Sequence, residues 1–178
     1  MLGCYGEGNL GDEAILAGLT KIIYLGDRNA SFVVFIGSEK FAKDYTDRTV
    51  LDLCVFKVKH WYGLFVKGRI CDIVTSLAQT DFLVIGGGEL IRDDFGLLPL
   101  IAIVEKALIA KAFKKKLLML GIGVGSCTTS IGRTLVKILV RLSHLIIVRD
   151  ENSKMLINCL SPRCHLRVAS DVAFFLPS

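Results

Sequence analysis

The sequence predicts an α/β fold: a doubly wound, mostly parallel, Rossmann-like sheet of about seven strands with right-handed crossovers. Three observations point there. Short apolar runs without polar alternation, such as Phe32-Val33-Val34-Phe35-Ile36, Phe82-Leu83-Val84-Ile85, Leu117-Leu118-Met119-Leu120 and Leu145-Ile146-Ile147-Val148, suit strands covered on both faces. Segments with helical apolar spacing alternate with them. Glycine-rich turns follow three of the predicted strands.

In chain order, residues 1–4 read as the tail of a first strand. Residues 11–25 carry Ile15, Leu16, Leu19, Ile22 and Ile23 at helical spacing, and Gly26 ends that helix. A second strand over 31–36 precedes a short helix over 39–45, a strand over 50–58 and a helix over 65–79. The strand 81–85 leads to a long helix over 94–115, with Gly96 and Pro99 in its first turns or breaking it there. Then come a strand over 116–122, a helix over 128–142, a strand over 144–149, a helix over 152–160 and a last strand over 165–169. Residues 1–178 read as a single Rossmann-like domain, since this length fills one well-buried core and two ordinary domains would be cramped.

The apolar fraction, 52%, raises the question of a membrane span. The most apolar region, 96–112, is broken by Pro99, Glu105, Lys106 and Lys111, so no transmembrane segment is expected. The amino terminus lacks a basic stretch followed by an apolar run and a small-residue cleavage site, which favours a cytoplasmic location, with the inner membrane surface open to peripheral association. Six cysteines show no CxxC and read as free, buried thiols. Cys159, Cys164 and His165 lack a fourth ligand at suitable spacing, so no metal is expected. The net charge of +5 is scattered except at Lys114 to Lys116, read as capping a helix carboxyl end. Nucleic acid is not favoured, because no basic stripe with interleaved aromatics is present. His60, His144 and His165 read as surface or satisfied core residues, and Trp61-Tyr62 as either a sugar-stacking pair or a loop anchor.

The glycines carry the functional signal. Gly6-Glu7-Gly8-Asn9-Leu10-Gly11, Gly86-Gly87-Gly88 and Gly121-Ile122-Gly123-Val124-Gly125 all fall at carboxyl ends of predicted parallel strands, the edge where open α/β sheets bind ligands. Glycine admits close backbone approach, and a following helix amino terminus favours an anion. Arg149 ends an apolar strand, where its guanidinium either grips a carboxylate or phosphate or pairs with Asp150, Glu151 or Asp171. A dinucleotide reading of the first turn fails on two counts. The acid expected about 20 residues further on is missing, Glu39 coming too late, and Asp12 and Glu13 would repel a pyrophosphate at the helix start unless they serve only as caps.

Those same residues carry a family resemblance. The stretch Tyr5 to Leu16 is similar to the amino-terminal signature of polysaccharide pyruvyl transferases. Gly86-Gly87-Gly88-Glu89-Leu90-Ile91-Arg92-Asp93, Gly121 to Gly125, Val148-Arg149-Asp150-Glu151-Asn152-Ser153 and Asp171-Val172-Ala173-Phe174 resemble further motifs of the family in the same order. Glu89 stands where the family's glycine run often continues. The resemblance implies the amino-terminal half of a GT-B-like pair of domains, with the second domain or a second chain facing the site. It also implies transfer of a pyruvyl group from phosphoenolpyruvate, a donor substrate rather than a cofactor, to two sugar hydroxyls as a ketal in cell-surface polysaccharide synthesis. On that reading Arg149 meets the donor anion, assisted by N–H groups around Gly87, Gly88, Gly123 and Gly125. Asn9, Asp12 and Glu13 orient or activate the acceptor hydroxyls and Gly11 helps to bind substrate, while Asp93 and Asp171 are more structural. Two alternatives stand beside it: a GT-B-like nucleotide-sugar glycosyltransferase, and a non-catalytic domain that binds a sugar or a partner chain.

Overall fold

The apolar runs pair as parallel strands. The computed structural model describes residues 1–36, 56–60, 70–161 and 166–175. In order these form α1 (Leu10–Gly26), β1 (Phe32–Ile36), β2 (Phe56–His60), α2 (Ile70–Ala78), β3 (Phe82–Gly86), α3 (Leu98–Ala112), β4 (Lys116–Ile122), α4 (Ser130–Leu142), β5 (Ser143–Val148), α5 (Glu151–Leu160), β6 (Leu166–Val168) and a 3₁₀ turn (Val172–Phe175). The expected helix at 39–45, residues 50–55 of the third strand, Trp61-Tyr62 and residues 65–69 lie outside the described residues, as do Cys54, Cys164 and His165.

β3, β4, β5 and β6 form a parallel four-stranded sheet in that order, and β1 pairs in parallel with β2. Among the described residues Leu2 joins the two groups, bridging Phe35 on one side and Ile85 on the other, both in parallel sense. Its N–H donates to the Val84 carbonyl (2.8 Å), and its carbonyl accepts from Gly86 (3.0 Å). Strands therefore extend from Leu2 to β1 and β2 in one direction and from Leu2 to β3 through β6 in the other. The order reverses between Leu2 and β3, the kind of place where open α/β sheets form a ligand crevice.

Alternate residues of the strands face opposite layers, as the pleat requires. Leu83, Ile85, Leu117, Met119, Ile146 and Val148 bury against Ile73 and Leu77 of α2, Leu100 and Ile103 of α3, Val136 and Leu139 of α4, and Ile157 of α5. On the other face Val34, Ile36 and Val84 meet Ile15, Leu16 and Leu19 of α1 together with Val172 of the 3₁₀ turn. Burying a side chain of this size contributes about 1.5–3 kcal/mol, so both layers are needed to hold the sheet.

Two expectations need correction. The long helix starts at Leu98 rather than at 94, because Gly96 has φ 98°, outside the helical region, while Pro99 sits in the first turn, where its missing N–H costs nothing. Lys114 and Lys115 stand at that helix's carboxyl end, as expected, and Lys116 opens β4. The Lys114 N–H donates to the Lys111 carbonyl and that of Lys115 to the Ala110 carbonyl, a Schellman closure. The thiols, too, are not all buried: Cys4, Cys71 and Cys159 are exposed and Cys127 is half-buried. Cys71 and Cys159 lie off the stripes through which α2 and α5 pack, marked by Ile73, Leu77 and Ile157. Among the described residues no helix is long and apolar enough to cross a membrane.

Candidate functional site

Asn9 starts α1 as its N-cap, its side-chain oxygen accepting from the Gly11 N–H (3.0 Å). Its Nδ2 then donates to Asp12 Oδ2 (2.9 Å), which fixes the direction of that carboxylate. Gly88 is why the carboxylate fits: a side chain there would bring a Cβ within 2.8 Å of Asp12 Oδ1. Burial pushes the Asp12 carboxyl above its ordinary value; the Glu13 carboxylate adds to this, against opposing contributions from the Asn9 hydrogen bond and Arg149. Glu13 turns the other way, its Oε1 accepting from the Gly6 N–H (2.9 Å) and so pinning the glycine loop to the helix.

Arg149 follows β5, and its backbone N–H donates to the Ile122 carbonyl (3.0 Å), which locks it beside the second glycine turn. The guanidinium lies flat on Gly123, where a Cβ would come within 2.9 Å of Nε, Cζ and Nη2. Three carboxylates stand around it at loose distances: Glu89 at 3.4 Å, Asp150 at 3.5 Å and Asp171 at 4.0 Å. Asp150 also caps α5 through the Ser153 N–H (2.7 Å), the bond that lowers its carboxyl below the ordinary range, and Asp171 accepts from the Ala173 N–H (3.0 Å). Ser153 in turn accepts the Val124 N–H (2.9 Å), so the motif after β5 braces the turn on which its arginine rests.

Asn9, Gly11, Asp12, Gly88 and Arg149 line one cleft of about 680 Å³ at the switch point, bringing together much of what the sequence singled out. Glu13, Gly87, Gly123 and Gly125 do not line it. The glycines act differently from the expectation that their N–H groups meet an anion. Those of Gly87, Gly123 and Gly125 already donate to the carbonyls of Leu120, Gly88 and Ile91, so these residues supply shape and cross-bracing instead.

Sequence reasoning did not assign Arg92, Glu89 or Phe95, all of which line the cleft. Arg92 pairs with Glu89 (2.6 Å) and with Asp94, and stacks on the Phe95 ring at 4.3 Å. The available signal was an arginine three residues after an acid in an aperiodic stretch behind a glycine run. Next to it, Asp93 serves the fold: its carboxylate accepts the N–H and hydroxyl groups of Thr128 and Thr129 (2.6–3.1 Å), which holds it down at about 2. The Cys4 thiol at the cleft edge is pushed up to about 11 by packing round the sulfur and by the Asp12 and Glu7 carboxylates, so it stays protonated at neutral pH although the residue as a whole is exposed.

The fold and site thus define an α/β protein with a cleft at its strand ends in which guanidiniums and carboxylates share a polar wall. The profile of the polysaccharide pyruvyl transferase family matches residues 9–178, and the chain belongs to that family. No curated protein and no solved structure matches it.

Proposed function

We propose that this cleft carries pyruvyl transfer from phosphoenolpyruvate to two hydroxyls of a sugar in polysaccharide synthesis. The observation that carries the reading is the meeting of Arg149 and Arg92 with the raised carboxyl of Asp12 in one cleft. Protonation of the donor's methylene carbon makes the adjacent carbon electrophilic. One sugar oxygen bonds to it as its own proton leaves, the bond to the phosphate oxygen breaks, and the second hydroxyl closes the ketal with release of inorganic phosphate. Guanidiniums suit the donor's carboxylate and the departing phosphate. A carboxyl held above its ordinary value and oriented by Asn9 suits proton exchange with a hydroxyl, so we assign that role to Asp12 and loop support to Glu13. In the GT-B-like arrangement that the resemblance implies, a second α/β unit faces the cleft and supplies further donor-binding groups.

The test is phosphate release from phosphoenolpyruvate with a galactoside or mannoside acceptor, using the protein as the cell makes it. Arg149→Ala is expected to lower kcat/KM by roughly 10²–10³-fold. Turnover equal to that of the parent would remove Arg149 from the site. A nucleotide sugar as donor is disfavoured by Asp12, whose carboxylate occupies the helix start that a diphosphate would need.

A further inference from the structure

Arg92 and Arg149 come from different elements, and each lies over a glycine of the same turn. A Cβ on Gly123 would collide with the Arg149 guanidinium, and one on Gly125 would press on Arg92, at 3.1 Å from its Cβ and 3.5 Å from its Nε. The bond from the Gly125 N–H to the Ile91 carbonyl (2.9 Å) and the pairing of Ile91 with Val124 hold the two loops in this register. Between the guanidiniums stands one carboxylate. Glu89 Oε2 lies 2.6 Å from Arg92 Nη1, while its Oε1 lies 3.4 Å from Arg149 Nη2.

Three facts make Glu89 displaceable, and the second separates it from the acids around Arg149. Its side chain is 41% exposed, so water reaches it. Asp150 and Asp171 are committed to backbone N–H groups, whereas Glu89 has only its arginine partners among the hydrogen bonds of the described residues. And none of the acids around Arg149 comes within the 2.7–2.9 Å of a good charge-assisted bond, so that guanidinium is attended but not satisfied.

We infer that Glu89 is an internal anion that occupies the phosphate position of the donor between Arg92 and Arg149, and that the donor's phosphate binds there by displacing it. This deepens the pyruvyl-transfer reading and rests on it for the identity of the donor. Two cations suit a phosphate, which carries close to two negative charges near neutral pH. Displacement turns a half-exposed carboxylate out to water, leaves Asp94 and the capping acids in place, and frees Nη1 of Arg92 and Nη2 of Arg149. The carboxylate makes the site selective, because a weak or singly charged anion does not repay the loss of both arginine contacts.

Calorimetric titration of the full chain with inorganic phosphate, and separately with phosphoenolpyruvate, tests this without requiring turnover. Glu89→Gln keeps the side-chain shape and removes the competing charge, and is expected to tighten phosphate binding by about fivefold or more at low salt. Asp94→Asn removes the same charge from the outer side of Arg92 without clearing the space between the guanidiniums, so a change below about twofold is expected. Adding Arg92→Gln to Glu89→Gln should abolish the gain. Circular dichroism confirms that the variants are folded, and Glu89→Asp, too short to span both arginines, gives an independent reading with an intermediate gain. Unchanged or weaker phosphate binding in Glu89→Gln, or an equal gain in Asp94→Asn, would overturn the inference. Tighter phosphate binding without phosphoenolpyruvate turnover keeps the anion site and removes the transfer reading, and turnover with no effect of Glu89→Gln does the reverse.

Discussion

At Gly123 the missing side chain decides what Arg149 can do. The three atoms nearest an added methyl all belong to the far end of a flexible side chain, so the fold can absorb it, but the guanidinium must lift from the turn. Gly123→Ala is therefore expected to move Tm by no more than about 2 °C while weakening phosphoenolpyruvate binding about tenfold; loss of stability without loss of binding would contradict this. Asp12 makes a separate prediction with a definite sign. Its carboxyl is raised, so the folded chain holds this proton more tightly than the unfolded chain does. Its contribution to stability therefore falls as pH rises from the ordinary carboxylate range through the raised value, and at pH 7 ionised Asp12 opposes folding. Asp12→Asn should raise Tm at pH 7 and flatten that part of the stability–pH profile. Asn9, Asp12 and Arg149 were legible in the sequence because each sits at a strand end or helix start with a recognisable job. Arg92 and Glu89 were not. Their roles depend on an approach between segments 60 residues apart, and the stretch that carries them has no periodicity to announce it.

Elements are where the sequence spoke most clearly. Strands buried on both faces read as apolar runs, so β1, β3, β4 and β5 fall within one residue of their expected limits. Helix ends were harder, because closure depends on backbone angles that composition does not state. Lys114 shows this: it occupies the left-handed position of the Schellman closure of α3 with φ 56°, a position at which glycine is at ease and lysine is not. Lys114→Gly should stabilise the protein by about 0.5–1 kcal/mol, measured by urea unfolding; destabilisation would mean that the lysine side chain contributes more than its backbone costs. Asp93 acts on another end. It gathers the Thr128 and Thr129 N–H and hydroxyl groups ahead of α4, whose own cap, Thr129, accepts from Gly132. Its carboxyl is lowered to about 2, so its contribution to stability is present above the ordinary carboxylate range and is lost as pH falls toward 2. Asp93→Asn should lower Tm at pH 7 and remove that part of the acid dependence. It should do so by loosening the loop between β4 and α4 rather than by touching the ligand directly.

The whole molecule depends on a residue that local sequence cannot single out. Apolar runs and right-handed crossovers imply a parallel sheet, but the side on which each strand pairs follows from which surfaces are left to cover once helices pack. Here the answer hangs on Leu2, which is fully buried and provides the backbone link between the β1–β2 pair and the sheet that begins with β3. The same residue places the first glycine turn over the reversal point, so the sheet's continuity and the cleft share a support. Replacing Leu2 with alanine leaves the backbone bonds possible but opens a void in the core beside Phe35 and Ile85, and should cost about 3 kcal/mol. If the residue truly joins the halves, amide exchange should accelerate together at Phe35, whose N–H donates to the Met1 carbonyl, and at Gly86, whose N–H donates to that of Leu2. Acceleration on one side alone would mean that the two groups of strands are held together by their helices rather than through this strand. Phosphate affinity measured on the same variant extends the argument to the site. Asp12 rides on the chain that follows Leu2, whereas Arg92 and Arg149 are carried by the segments after β3 and β5. Loosening the link should therefore weaken the coupling of Asp12 to its cleft while leaving the pair of guanidiniums able to bind phosphate.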